Sequence, residues 1–186
     1  MIKIENLNIS YEDKEVIKNF NENISKREKI ALLGLSGIGK TSLINALMGL
    51  VDYTGIINFN EDPVYAVVFQ EDRLLPDFTV YDNIKITANN YTNAEINQYI
   101  QSFNLNPKSR INTLSGGMQR RVAILRAILA PSNLVIMDEP FKGLDTDTKD
   151  KVMSIVKEKT SDKTMIIITH DLSEARYFDC RTIELS

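Results

Sequence analysis

The chain has 186 residues, of which 43% are hydrophobic and 25% charged, so it can bury a core without disulfide staples and is not a disordered tract. Lys and Arg total 22 against 25 Asp and Glu, and the net charge of -3 argues against a surface that holds nucleic acid through its phosphates. One cysteine (Cys180) and one histidine (His170) exclude an internal disulfide and a His/Cys zinc site, and they confine any Ser-His-Asp chemistry to His170.

No apolar stretch approaches the ~18–20 residues that a membrane span needs. The opening MIKIENLNIS carries Glu5 and alternates polar with apolar residues, unlike a signal peptide. A cytoplasmic chain is therefore expected. Ile2, Ile4, Leu7 and Ile9 mark an extended segment with one break in register, 16–24 a second strand and 29–34 a buried one. A glycine-rich turn leads into a helix over 41–50, with Gly49 late in it. Short strands follow at 56–59 and 65–69. Helices are expected at 81–88, 92–103 and 116–130, the last stopped by Pro131. A buried strand at 133–137, a helix at 145–160, a buried strand at 164–169, a short helix at 172–177 and a strand at 180–185 complete the series. Apolar strands alternating with helices predict an α/β fold around a parallel sheet covered on both faces.

Gly34-Leu35-Ser36-Gly37-Ile38-Gly39-Lys40-Thr41 matches G-x-x-x-x-G-K-[ST] between a buried strand and a helix. Glycines let backbone N–H groups turn toward phosphate oxygens at the positive end of the helix. In that pattern Lys40 reaches the β- and γ-phosphates and the Thr41 hydroxyl can ligate Mg²⁺. The pattern points to a nucleoside triphosphate without saying how its energy is used. A second chemical element is Leu134-Val135-Ile136-Met137-Asp138-Glu139-Pro140, a buried strand whose carboxyl end carries two acids. Asp138 there would hold Mg²⁺ and Glu139 would orient and deprotonate a water. A third is Leu114-Ser115-Gly116-Gly117-Met118-Gln119, a hydroxyl and two glycines at the start of a helix. It reads either as a capped helix start or as another anion-binding surface.

With these elements in this order, the sequence resembles the ATP-binding-cassette (ABC) ATPases from Ile4 to Leu185. The phosphate loop is similar to Walker A, Leu134–Glu139 to Walker B and Leu114–Gln119 to the family signature. Tyr11 resembles the aromatic that stacks on adenine, Gln70 the Q-loop glutamine, Gly143-Leu144-Asp145 the D-loop, and His170 the switch histidine at the γ-phosphate. Taken singly, Tyr11 reads as a strand-end aromatic, Gln70 as a surface polar residue and His170 as a cap on the helix after it.

The resemblance implies a P-loop NTPase fold with a mostly parallel core sheet, an N-terminal antiparallel β region and a short inserted helical lobe. It implies one domain, 1–186, with the core at 1–75 and 131–186 and the helical part at 76–130. It implies Mg²⁺-dependent ATP hydrolysis with Lys40, Gln70, Glu139 and His170 as catalytic residues. Thr41, Gln70 and Asp138 would hold the metal. Tyr11, Gly34, Ser36, Gly37, Gly39, Lys40, Thr41, Ser42, Ser115, Gly116, Gly117, Gln119 and Asp145 would contact nucleotide. The implied partners are a second copy of the chain or a homologous ATPase subunit, paired head to tail around two ATP molecules, and transmembrane permease subunits. An extracytoplasmic substrate-binding protein would act through the permease, and the chain would sit at the inner face of the membrane.

The wording Val68-Phe69-Gln70-Glu71-Asp72-Arg73-Leu74-Leu75-Pro76, with Met118-Gln119-Arg120-Arg121-Val122, is similar to the nitrate/sulfonate/taurine class of importer ATPases. Three departures stand out. The stretch from Gln70 to Leu114 is short for a full helical lobe, so one helix there is expected to be trimmed. The sequence runs to Ser186, so no C-terminal regulatory domain is expected. Lys142 stands where many members carry a small residue. Two other readings remain at this level. One is a soluble cassette without transport, but the stretch from Thr41 to Leu114 is too short for the coiled coil of DNA-repair members, and translation members carry two cassettes. The other is a nucleotide kinase, which leaves Ser115–Gly117 and Asp138-Glu139-Pro140 unexplained.

Overall fold

Ile2, Ile4, Leu7 and Ile9 are all buried, although an unbroken strand would turn Leu7 away from the face that holds Ile4. The computed structural model, which describes residues 2–12 and 14–185, resolves the conflict with asparagines. In β1 (Ile2–Tyr11) Asn6 adopts φ 49°, and in its antiparallel partner β2 (Lys14–Ile24) Asn19 adopts φ 45°. Asparagine tolerates this left-handed backbone better than most residues. The Asn6 N–H donates to Asn21 Oδ1 at 2.9 Å and the Asn19 N–H to Asn8 Oδ1 at 2.7 Å, so side chains replace the interrupted ladder. The pairing slips between Ile4 and Leu7, between Leu7 and Ile9, and again after Ile9, where one break was expected. β4 (Thr54–Phe59) pairs with the other edge of β1, giving the antiparallel order β2-β1-β4.

These strands belong to the first of two compact units, which runs to Pro63 and resumes at Lys163. Its parallel part has β3 (Lys29–Leu33) in the centre, flanked by β7 (Thr164–Ile168) and β8 (Arg181–Glu184). Every residue of β7 is buried, as its unbroken apolar run requires. α1 (Lys40–Leu47) follows β3 and α6 (Leu172–Tyr177) follows β7. α1 stops three residues short of the expected helix. Gly49 turns to φ 68°, and its N–H and that of Leu50 return to the carbonyls of Ala46 and Asn45. Gly49 is thus the residue that ends the helix and not part of its last turn.

The second unit is Val64–Asp162. In it β5 (Tyr65–Val68) pairs in parallel with β6 (Leu134–Asp138). α2 (Val80–Lys85), α3 (Asn93–Ser102), a 3-10 turn (Ile111–Thr113), α4 (Gly116–Ile128) and α5 (Thr146–Lys159) make up the rest. α2 and α3 both open with a reciprocal capping box, Thr79 with Asp82 and Thr92 with Glu95. α2 ends before the expected position 88, where the Thr87 hydroxyl donates to the Arg126 carbonyl at 2.9 Å and directs the chain onto α4. α4 touches α2, α3, α5 and β5, and its Val122, Ile124 and Leu125 are fully buried.

Asn83 of α2 is 0% exposed. Its Oδ1 accepts from the Leu75 N–H at 2.8 Å, and its amide donates to the carbonyls of Leu75 at 3.1 Å and Thr79 at 3.0 Å. Replacing it with alanine removes the Asn83 partners of the Leu75 N–H and of the Leu75 and Thr79 carbonyls. Asn83→Ala should cost about 2–4 kcal/mol in urea unfolding; a loss below about 0.5 kcal/mol would show that Leu75 finds other partners.

Candidate active site

The first unit holds the phosphate loop. β3, fixed on both sides by parallel neighbours, delivers the chain at Gly34, and α1 starts six residues later. Gly39 at the helix start has φ 111°, and a β-carbon on it would lie 2.8 Å from both Val16 Cγ1 and Ile17 Cδ1. Glycine is required there on both counts. The α1 start therefore has no side-chain cap, whereas Thr79, Thr92, Ser115, Asp145 and Asp171 cap α2 to α6 with their own oxygens. Lys40, only 6% exposed, folds back across the loop, and its ammonium donates to the carbonyls of Gly34 at 2.7 Å and Leu35 at 2.9 Å. Ser36, Gly37 and Thr41 lie at the exposed surface of this loop, with Ser42 half-buried behind them.

Tyr11 and His170 belong to the same unit. Tyr11 is the last residue of β1, paired with Lys14 and 44% exposed. His170 is exposed at the turn after β7. That turn is built by its neighbours: the Thr169 hydroxyl donates to buried Glu174 at 2.5 Å, the Asp171 N–H donates to the Thr169 oxygen at 3.0 Å, and Asp171 caps α6 through the Ser173 N–H at 2.8 Å. The capping role thus falls to Asp171 and not to the histidine.

The second unit holds the acids, Gln70 and the signature turn. β6 is buried along its whole length and ends on Asp138, 7% exposed. Glu139 follows in a left-handed backbone, φ 45°, a conformation that costs a non-glycine residue about 1–3 kcal/mol and persists only where the surroundings enforce it. Its carboxylate meets Lys142 Nζ at 2.7 Å. Lys142, noted in the sequence only as a departure from the family pattern, is thus the cation beside the expected base. Ser115 caps α4 through a long 3.4 Å bond from the Met118 N–H, and Gly116 and Gly117 form the helix start behind it. The Gln119 amide donates to the carbonyls of Ile111 and Leu114, so it also holds the signature turn in shape. Asp145 caps α5, and the hydrogen bond from the Thr148 backbone N–H holds its carboxyl below the usual aspartate range.

Arg120 is the residue that sequence reasoning passed over. It is 6% exposed, and its guanidinium donates to the carbonyls of Phe69, Asp138, Glu139 and Pro140 and to the Asp72 carboxylate. The loop with Gln70 and the end of β6 with Asp138 and Glu139 are thus brought together on one side chain. Neither its spacing nor its composition marks this arginine apart from Arg121 beside it.

The parallel strands, the glycine-begun helix and the acid-tipped strand define a P-loop nucleoside triphosphatase. The sequence model of the ABC transporter family matches residues 17–142, and the chain belongs to that family. It is 32% identical to the aliphatic sulfonates import ATP-binding protein SsuB of Bacillus cereus, over 92% of this chain and 74% of that protein. It is 33% identical to SsuB 1 of Paracoccus denitrificans, over 94% of this chain and 74% of the relative. Among solved structures, the ATP-binding cassette MJ0796 in its dimeric post-hydrolysis state with ADP and Pi superposes with a TM-score of 0.85 at 26% identity, covering 100% of this chain and 94% of that one. The chain is an ATP-binding, ATP-hydrolysing subunit of the ABC importer class. A soluble cassette without transport is not favoured. No helix among the described residues is long and apolar enough to cross a membrane.

Since the folded pKa of Asp145 lies below its unfolded value, its cap adds stability above the unfolded value, and that stability is lost as pH falls through the folded one. Asparagine caps about as well at neutral pH. Asp145→Asn should therefore lose less melting temperature than the parent between neutrality and pH below the ordinary aspartate value of 3.8. Identical losses would sever α5 capping from that ionisation.

Proposed function

We propose that two copies of the chain close head to tail around two ATP molecules and that hydrolysis reopens them, driving a membrane permease. The observation that carries this reading is the pair of unlike helix starts. α1 begins on glycine without a side-chain cap, in the manner of a helix that receives phosphate, and α4 begins on Ser115-Gly116-Gly117 in the other unit. In the proposal Gly34, Ser36, Gly37, Gly39, Lys40, Thr41 and Ser42 hold the phosphates of one copy's ATP and Tyr11 stacks on its adenine. Ser115, Gly116, Gly117 and Gln119 of the second copy cover the γ-phosphate, with that copy's Asp145 beside them.

The donor set fits Mg²⁺, which takes oxygen ligands and keeps several from water and phosphate: a hydroxyl from Thr41, an amide oxygen from Gln70 and a buried carboxylate at the end of β6 from Asp138. Bound there, the ion would neutralise charge on the β- and γ-phosphates. Glu139 takes the proton of the attacking water, His170 holds the γ-phosphate oxygen, and Lys40 trades its carbonyl partners for phosphate oxygens. Gln70 reports the state of the γ-phosphate to the helices C-terminal to it. The relatives are named for aliphatic sulfonate import, which supports a permease for an organic anion of the sulfonate type. In the proposal an extracytoplasmic binding protein supplies that permease, and this chain sits at the inner membrane face.

Replacing the base should trap the closed state. Glu139→Gln should lower turnover about a hundredfold or more and run as a dimer with ATP in light scattering. Adding Ser115→Arg should return it to a monomer that still binds ATP. Parental turnover in Glu139→Gln, or a dimer that survives Ser115→Arg, would contradict the proposal.

A further inference from the structure

We infer that Arg120 is a positioning residue for ATP hydrolysis: it holds the peptide of Glu139 in its working orientation and ties it to the loop that carries Gln70. The inference rests on the roles proposed above for Glu139 and Gln70. Its basis is the distribution of the guanidinium's donors. Nε donates to the Pro140 carbonyl at 3.0 Å, and one terminal nitrogen donates to the carbonyls of Asp138 and, at 2.8 Å, Glu139. The other donates to the Phe69 carbonyl at 2.5 Å and to Asp72 Oδ1 at 2.8 Å, with the Gln70 carbonyl at 3.5 Å. A guanidinium has five N–H groups in a rigid fork, and five shorter contacts account for all of them.

Three of the acceptors are consecutive carbonyls, and they bracket the residue with φ 45°. Arg120 therefore grips the backbone on both sides of the strained position from which the Glu139 carboxylate is presented. The Gln70 loop is fastened to the same helix a second time, where Arg126 donates to the carbonyls of Asp72 at 3.1 Å and Arg73 at 3.0 Å. Of the two arginines, Arg120 is the one whose donors reach both segments. A buried arginine kept only for packing needs its charge answered once. This one spends its donors on the two segments that carry the base and the γ-phosphate reporter, so a shift of one is felt by the other.

A lysine at this position keeps the charge but cannot fork. Arg120→Lys should lower kcat for ATP about tenfold or more while KM for ATP moves less than about threefold. Because Arg120 acts through Glu139, adding the change to Glu139→Gln should lower the residual single-turnover rate by less than about twofold. A purely structural arginine would reduce the rate by the same factor in both backgrounds. Parental kcat in Arg120→Lys, or losses that multiply in the double variant, would overturn the inference. Should Arg120→Lys fail to fold, Asp72→Ala removes one anchor of the clamp at a partly exposed side chain. It should lower kcat with KM held, and parental kcat there overturns the inference equally. A parent chain with no ATPase would overturn the reading of Glu139 as the base instead.

Discussion

A helix that begins on glycine receives no side-chain cap from that residue, and the phosphate loop is organised around that constraint. β3 must be held on both sides so that Gly34 arrives in a fixed place, and β7 and β8 supply that. Gly39 must be glycine because Val16 and Ile17 close over it. Lys40 is buried and donates to two carbonyls of the loop, which in the proposed reading it exchanges for phosphate oxygens. Stability is given up locally at the α1 start, and the other helices keep the side-chain caps that α1 lacks.

The second unit meets a different requirement. Its functional residues come from segments far apart in sequence, and α4 gathers them. The helix carries the Ser115–Gly117 turn at its start, Gln119 and Arg120 in its second turn and Arg126 further along. The same element that presents the signature therefore also holds the Gln70 loop and the chain around Glu139. Placing these jobs on one buried helix makes their geometry interdependent, which suits a cycle in which nucleotide state has to be passed to a partner.

Much of this is legible in the sequence, because short-range chemistry writes short-range patterns. The apolar runs at 29–34, 133–137 and 164–169 correspond to β3, β6 and β7 within a residue at each end. Helix starts marked by Thr92, Ser115 and Asp145 lie where capping chemistry puts them. Gly49 reads as helix in the sequence because spacing alone does not separate a late helical glycine from one that turns left-handed to end the helix. The slips in β1 exceed the one break its pattern shows because Asn8 and Asn21 act across strands. Arg120 escapes notice because its value lies in partners that only folding brings near. Lys142 shows in the sequence as a departure from the family pattern, but its ion pair with Glu139 does not. The family resemblance names the phosphate loop, Gln70, Asp138, Glu139 and His170 without saying what keeps them in place.

The account stands on Lys40 and its loop as the seat of the triphosphate. Equilibrium titration of ATP into the chain, parent against Lys40→Ala, tests this most directly. The lost charge-assisted contacts should weaken ATP binding about 10- to 100-fold, with the melting temperature of the free chain little changed. Equal affinities in the two proteins would contradict it.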